Sequence, residues 1–230
     1  MPNVITTSLS IPGGDGRRDG QDAYRRLREA IVDGRFNPNE RLVEADLARL
    51  LGAGRTTVRA ALLRLDQEGL VEREHNRGAR VRRVTDREAL EIEEVRVALE
   101  QVMARQAALS LTAEGLADLR AMLADMTEQV QAGDPLGYSE LNARFHNRIW
   151  QLADHGVAAR LLANLKSQSI RYQFRTILQP GRPERSLREH ARIVEALASR
   201  DPDASETAMR DHLRQVVATL KAAIARQANH

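Results

Sequence analysis

The chain has 230 residues, 42% of them hydrophobic and 29% charged, enough to build a core in one large domain or two small ones. Its longest apolar runs fall far short of the roughly 20 residues a bilayer-crossing helix needs. A membrane segment is therefore excluded and a cytoplasmic location expected. Cysteine is absent, which excludes disulfides, thiolate metal sites and thiol nucleophiles and leaves only nitrogen and oxygen donors for a metal. The net charge of +3 is unevenly spread: residues 1–84 carry 16 arginines against 12 acidic residues, and residues 85–230 carry 19 basic against 20 acidic.

The opening MPNVITTSLSIPGGDGRRDG lacks the apolar core of a secretory signal, and residues 1–20 read as a glycine-rich flexible arm. In QDAYRRLREAIVDGRF, Tyr24, Leu27, Ile31 and Val32 recur at helical spacing until Gly34. After the NPNERL turn, VEADLARLLG forms a short second helix with Leu47, Leu50 and Leu51 inward, and Gly52 suits a tight turn. In RTTVRAALLRLDQEG, Val58, Leu62 and Leu65 make a buried stripe and leave Arg55, Thr56, Thr57 and Arg59 on the other side of the first turn. Two guanidinium groups and two hydroxyls at a helix N-terminus suit a DNA major groove: arginine donates bidentately to guanine, and threonine bonds phosphate or touches a thymine methyl. LVEREHNRGARVRRV then reads as two short strands around HNRG, with Gly78 at positive φ in the turn. Arg77 at its tip is either a minor-groove or phosphate contact or an exposed turn arginine. Residues 21–84 are thus expected to form a winged helix-turn-helix.

The run from Ile31 to Val81, IVDGRFNPNERLVEADLARLLGAGRTTVRAALLRLDQEGLVEREHNRGARV, resembles the N-terminal domain of GntR-type bacterial transcription regulators along its whole length. The resemblance implies that Arg55, Arg59, Thr56, Thr57 and Gly78 contact operator DNA, with Arg49 on the preceding helix a further candidate. Two positions depart from the family pattern. Gly54 stands where Ser or Thr usually caps the recognition helix, at a cost of a few tenths of a kcal/mol. Ala60 stands where an acid commonly follows the arginine matching Arg59, which alters how Arg59 is held.

From Thr85 the pattern is helical throughout, interrupted by turn signals. Six helices are expected near 86–109, 113–132, 135–153, 157–178, 184–199 and 203–227, giving a mainly α protein whose residues 85–230 form an all-helical antiparallel bundle. Thr112 before Glu114 and Asp201 before Pro202 mark helix starts. Three histidines, His146 in SELNARFHNRIW, His190 in REHARIVEAL and His212 in MRDHLRQVV, lie on three different helices beside aliphatic residues, and Asn142 shares a face with His146. Taken alone they are either satisfied core residues or, if they converge, ligands for a divalent transition metal such as Zn, Ni, Co or Mn. His75 and His155 sit in turns. Trp150, Tyr172 and Phe174 are expected in the core.

Residues from about 88 to 220 are similar to the FCD ligand-binding domain of the FadR subfamily, on the strength of EVRVALE, ELNARFH, EHARIVEAL and AMRDHL. That resemblance implies metal ligation by Asn142, His146, His190 and His212, with Asn142 in place of the usual Asp and hence no anionic protein ligand. It also implies that Arg96 faces the pocket and pairs with an effector carboxylate; the plain alternative is an i,i+4 pair with Glu100. Arg171 is either a second anion partner or a surface residue. The resulting expectation is a transcription regulator, not an enzyme: a homodimer that binds a palindromic operator in double-stranded DNA, with residues 85–230 binding metal and a small organic acid and forming the dimer. Two alternatives are a regulator whose signal is the metal itself and a metal-dependent hydrolase.

Overall fold

The computed structural model describes residues 16–74 and 78–228. The chain divides into two compact units between Val84 and Thr85.

The first unit runs α1 (Gly16–Val32), β1 (Arg41–Leu42), α2 (Glu44–Leu51), α3 (Arg55–Gln67), β2 (Val71–Glu74) and β3 (Gly78–Val81). The stripe of Val58, Leu62 and Leu65 is buried as its spacing predicts, and it packs with Leu27, Ile31, Leu42, Leu47 and Val71. α1 begins five residues before Gln21, so the last five residues of the expected arm are helical. Periodicity misses them because the buried face starts only at Ala23. Gly52 closes α2 in the left-handed region, its amide reaching Ala48 O and Arg49 O, so α3 starts three residues later.

The wing is a three-stranded antiparallel sheet in the order β1-β3-β2. β1 was not legible in the sequence, because two residues are too few for an alternating pattern. It pairs Leu42 with Ala79, while β2 pairs Glu74 with Gly78. Gly78 has φ +90°, and a Cβ there would lie 2.4 Å from Leu42 O. Position 78 therefore requires glycine both for its conformation and for the approach of β1.

The second unit holds α4 (Asp86–Ser110), α5 (Ala113–Ala132), α6 (Pro135–Ala153), α7 (Gly156–Ile177), α8 (Arg182–Ala198) and α9 (Pro202–Ala228). All but α8, whose N-cap is Gly181, have side-chain caps: Thr85, Thr112, Asp134, His155 and, for α9, Asp201. α4 packs most extensively against α9 and then α6, rather than against its sequence neighbour, while α5 lies on α6 and α8. The shared core is built from residues such as Met103, Leu119, Met126, Phe145, Ile149, Ile193, Leu197 and Met209.

Replacing Gly78 by Ala is expected to destabilise the first unit by about 1–3 kcal/mol through left-handed strain and the clash with β1. Amide hydrogen exchange reads this as lost protection in β2 and β3; wild-type protection would contradict the account.

Candidate DNA-reading face and metal centre

The first turn of α3 is open to solvent: Arg55, Thr56 and Arg59 are exposed and Thr57 is half-buried. Gly54 occupies the N-cap and makes no side-chain capping bond. The first-turn amides of α3 therefore lack that partner, and they carry the positive end of the helix dipole. Arg59 is held from α2: its Nη2 donates to Glu44 Oε2 at 2.8 Å and its Nε to Oε1 at 3.1 Å. That hydrogen bond holds the Glu44 carboxyl below its ordinary pKa. The acid absent at Ala60 thus has a counterpart in Glu44, which fixes Arg59 across the helix-turn-helix. Arg49 is exposed on α2 and paired with Asp46. Arg77, like His75, lies outside the described residues, and Gly78 is the first residue of β3.

In the second unit, His146 of α6, His190 of α8 and His212 of α9 are all buried. One nitrogen from each lies within 4.8 Å of the others. Ring centroids are 5.4 Å apart for His146 and His190, 5.3 Å for His146 and His212, and 4.5 Å for His190 and His212. Half-buried Asn142, one turn before His146, lines the same small cavity of about 30 Å³ as His146 and His212. Two of the rings have committed their Nδ1 atoms. His146 Nδ1 is 2.7 Å from Glu100 Oε2, and His212 Nδ1 is 2.8 Å from Glu189 Oε2. An ionised carboxylate only accepts, so each Nδ1 donates to its carboxylate, and in the neutral ring Nε2 is then the atom with the free lone pair. His190 Nε2 is buried without a hydrogen-bond partner. A buried donor or acceptor left unpaired costs about 1–3 kcal/mol, which a metal bond removes. The donor set of three imidazoles and an amide oxygen fits a borderline divalent cation.

Burial acts on the protonation of two of these rings. Burial pushes the His212 pKa down to about 4, only partly opposed by Glu189, and burial together with His212 pushes His190 well below the ordinary histidine range. Both are therefore neutral near pH 7, the form that binds metal. Burial opposes ionisation of Glu100, but His146 and Arg96 beside it hold its carboxyl far below the usual range; Glu189 is likewise lowered by bonds from His212 and Arg182.

Arg96 is buried, as the apolar residues around it predict, and it lines the cavity. Its terminal nitrogens hold Glu93 at 2.8 Å and Glu100 at 2.6 Å, while its Nε is buried without a partner. The i,i+4 pair with Glu100 therefore exists, but in the interior and not on an exposed helix. Arg171 is exposed and is not part of the cavity wall. α7 turns Gln173, Thr176 and Ile177 to the cavity, and position 171 is two residues, about 200°, away from Gln173. The second guanidinium on the wall is Arg182, at the start of α8, bonded bidentately to Glu189 with both distances 2.9 Å. Sequence reasoning missed Glu100 and Glu189 as partners of the histidines, and Arg182 altogether. The only signals were Glu100 one turn after Arg96 and Glu189 adjacent to His190. His155 is a capping residue that accepts from the Ala158 amide. Trp150 is in the core; Tyr172 and Phe174 are partly exposed, and Tyr172 bonds Asp86.

Residues 20–81 match the model of the bacterial regulatory proteins of the gntR family, and residues 91–215 match the FCD domain. The chain is 30% identical over 196 residues to the HTH-type transcriptional repressor RspR of Escherichia coli (strain K12), covering 85% of this chain and 86% of that protein. It is 30% identical over 182 residues to the Nta operon transcriptional regulator of Aminobacter aminovorans, with 78% and 84% covered. Among solved structures, E. coli McbR/YncC shares the fold with a TM-score of 0.74 at 22% identity over 89% of this chain and 97% of that one. A regulator from Rhodococcus sp. RHA1 does so with a TM-score of 0.68 at 24% identity over 90% and 98%. The chain belongs to the GntR family of bacterial regulatory proteins, as a helix-turn-helix transcription regulator with an FCD domain and not an enzyme.

Proposed function

We propose that this regulator senses a small organic acid bound beside a divalent transition metal in residues 85–230, and that it acts in the cytoplasm as a homodimer whose winged units, residues 21–84, read a palindromic operator. The observation that carries the sensing half is the convergence of three buried imidazoles, one of which, His190, keeps a buried Nε2 without a hydrogen-bond partner. His146, His190, His212 and Asn142 would hold the metal, which would supply a Lewis-acidic point for an effector oxygen. Arg96 lines the same cavity and has a buried Nε–H without a partner.

In the reading half, Arg55 and Arg59 are the base readers, with Arg59 oriented by Glu44, while Thr56, Thr57 and Arg49 contact the backbone of the DNA together with Arg77 and Gly78 of the wing. A single winged module contacts too few bases for useful specificity, and a two-fold pair doubles the site. α4 carries an apolar seam suited to such pairing: Val95, Val102 and Leu109 recur every seven residues and are 50%, 40% and 60% exposed. Effector coupling of about 1–3 kcal/mol changes operator occupancy substantially.

The test is a thermal-shift screen of hydroxy, sugar, dicarboxylic and aromatic acids on the metal-loaded and chelator-treated protein, since a ligand of the folded state raises its apparent stability. Stabilisation by an acid only in the metal-loaded protein, together with altered operator affinity, is expected. A change in operator binding produced by metal alone would make the metal the signal. Arg55→Ala or Arg59→Ala is expected to weaken operator binding about 10- to 100-fold in fluorescence anisotropy; wild-type affinity would remove these residues from the interface. His190→Ala is expected to emerge from purification with no bound transition metal by mass spectrometry, against about one per wild-type chain. Val102→Glu is expected to sediment as a monomer, and a stable dimer would move the interface away from α4.

A further inference from the structure

Two of the three imidazoles are held in the same way and the third is not. His146 of α6 bonds Glu100 of α4, which is held by Arg96; His212 of α9 bonds Glu189 of α8, which is held by Arg182. Both oxygens of each carboxylate are engaged. Glu100 Oε1 accepts from Arg96, and its Oε2 takes His146 at 2.7 Å and Trp150 Nε1 at 3.4 Å. Glu189 uses both oxygens for Arg182 and adds His212 on one of them. Carboxylates locked by a guanidinium do not swing inward to ligate, but they do fix the ring in front of them. His190 has no such partner: its Nδ1 is 3.5 Å from the Tyr138 hydroxyl, too long for a strong bond.

Resting on the metal reading above, we propose that Glu100 and Glu189 are the positioning residues of the metal centre. Each presents one imidazole with its proton outward and its Nε2 inward, and each strengthens that ring as a donor beside the neutral Asn142. Two ligands are therefore preorganised, and His190 is left to be oriented by the metal. An imidazole that donates to a carboxylate is a stronger ligand, because the outer partner stabilises the positive charge the ring acquires on binding. It also explains how a site with a neutral amide in the fourth position retains affinity for a divalent cation.

The test uses full-length protein and zinc ion as the probe. In metal-free wild type, long-range proton–nitrogen NMR of the imidazoles is expected to show His146 and His212 as Nδ1–H tautomers, with His190 as the internal comparison. Glu189→Gln is expected to weaken zinc binding about 10- to 100-fold in chelator competition, with metal-free circular dichroism unchanged. Glu189→Asp, which keeps the charge and the bond to His212 within reach, is expected to retain most of the affinity that Glu189→Gln loses, and equal losses in the two variants would count against the positioning role. Zinc affinity within about threefold of wild type in folded Glu189→Gln would overturn the proposal, as would an Nε2–H tautomer at His212 in the wild type. The wild-type spectrum decides the matter should the variant fail to fold. Wild type that binds no zinc would instead overturn the metal reading itself.

Discussion

The second unit depends on one arrangement: ionised carboxylates buried between an arginine on one side and an imidazole on the other. Glu100, Arg96, Glu189 and Arg182 are all buried, and a lone buried charge costs several kcal/mol even after the surroundings relax. Each of the four is neutralised by a short, charge-assisted partner, and the two carboxylates use their remaining lone pairs to hold His146 and His212. The interior is thus made tolerable to charge by the same bonds that aim the imidazoles. Removing one member leaves the rest uncompensated, so the polar cluster is expected to behave as a unit and not as separable contacts.

The first unit solves a simpler problem. An apolar core formed by three helices and a small sheet keeps the N-terminal turn of α3 in the open, and the tight connection at Gly52 fixes α2 beside it. Glu44 then ties Arg59 to α2, so this exposed side chain is oriented before any ligand arrives. Preorganisation of this kind lowers the ordering cost of binding. It also gives a physical reason why a chain with alanine at position 60 retains a defined Arg59.

Much of this was legible in the sequence where a period longer than two turns carried the signal. The Val58, Leu62 and Leu65 stripe, the helical run after Thr85 and the helix starts at Thr112 and Pro202 all follow from spacing and capping chemistry. β1 was not legible, since it consists of two residues stabilised by a partner strand nearly forty positions away. The order of packing in the second unit, with α4 against α9, also escapes local pattern. At the candidate site, the grouping of Asn142, His146, His190 and His212 came from their placement on apolar helix faces together with resemblance. The roles of Glu100, Glu189 and Arg182 were hidden because their partners lie on other helices or two turns away, and a charged residue in a sequence ordinarily signals a solvated face. Arg171 was open between an anion partner and a surface residue, and a rotation of about 200° along α7 from Gln173 puts it outside the wall.

The central claim is that imidazoles from α6, α8 and α9 hold one metal ion together. X-ray absorption at the edge of whichever metal copurifies with the protein tests it most directly. The account predicts a first shell of nitrogen and oxygen at about 2.0–2.2 Å with outer-ring scattering from three imidazoles. A metal surrounded only by oxygen scatterers, or protein that carries and takes up no transition metal, would contradict it.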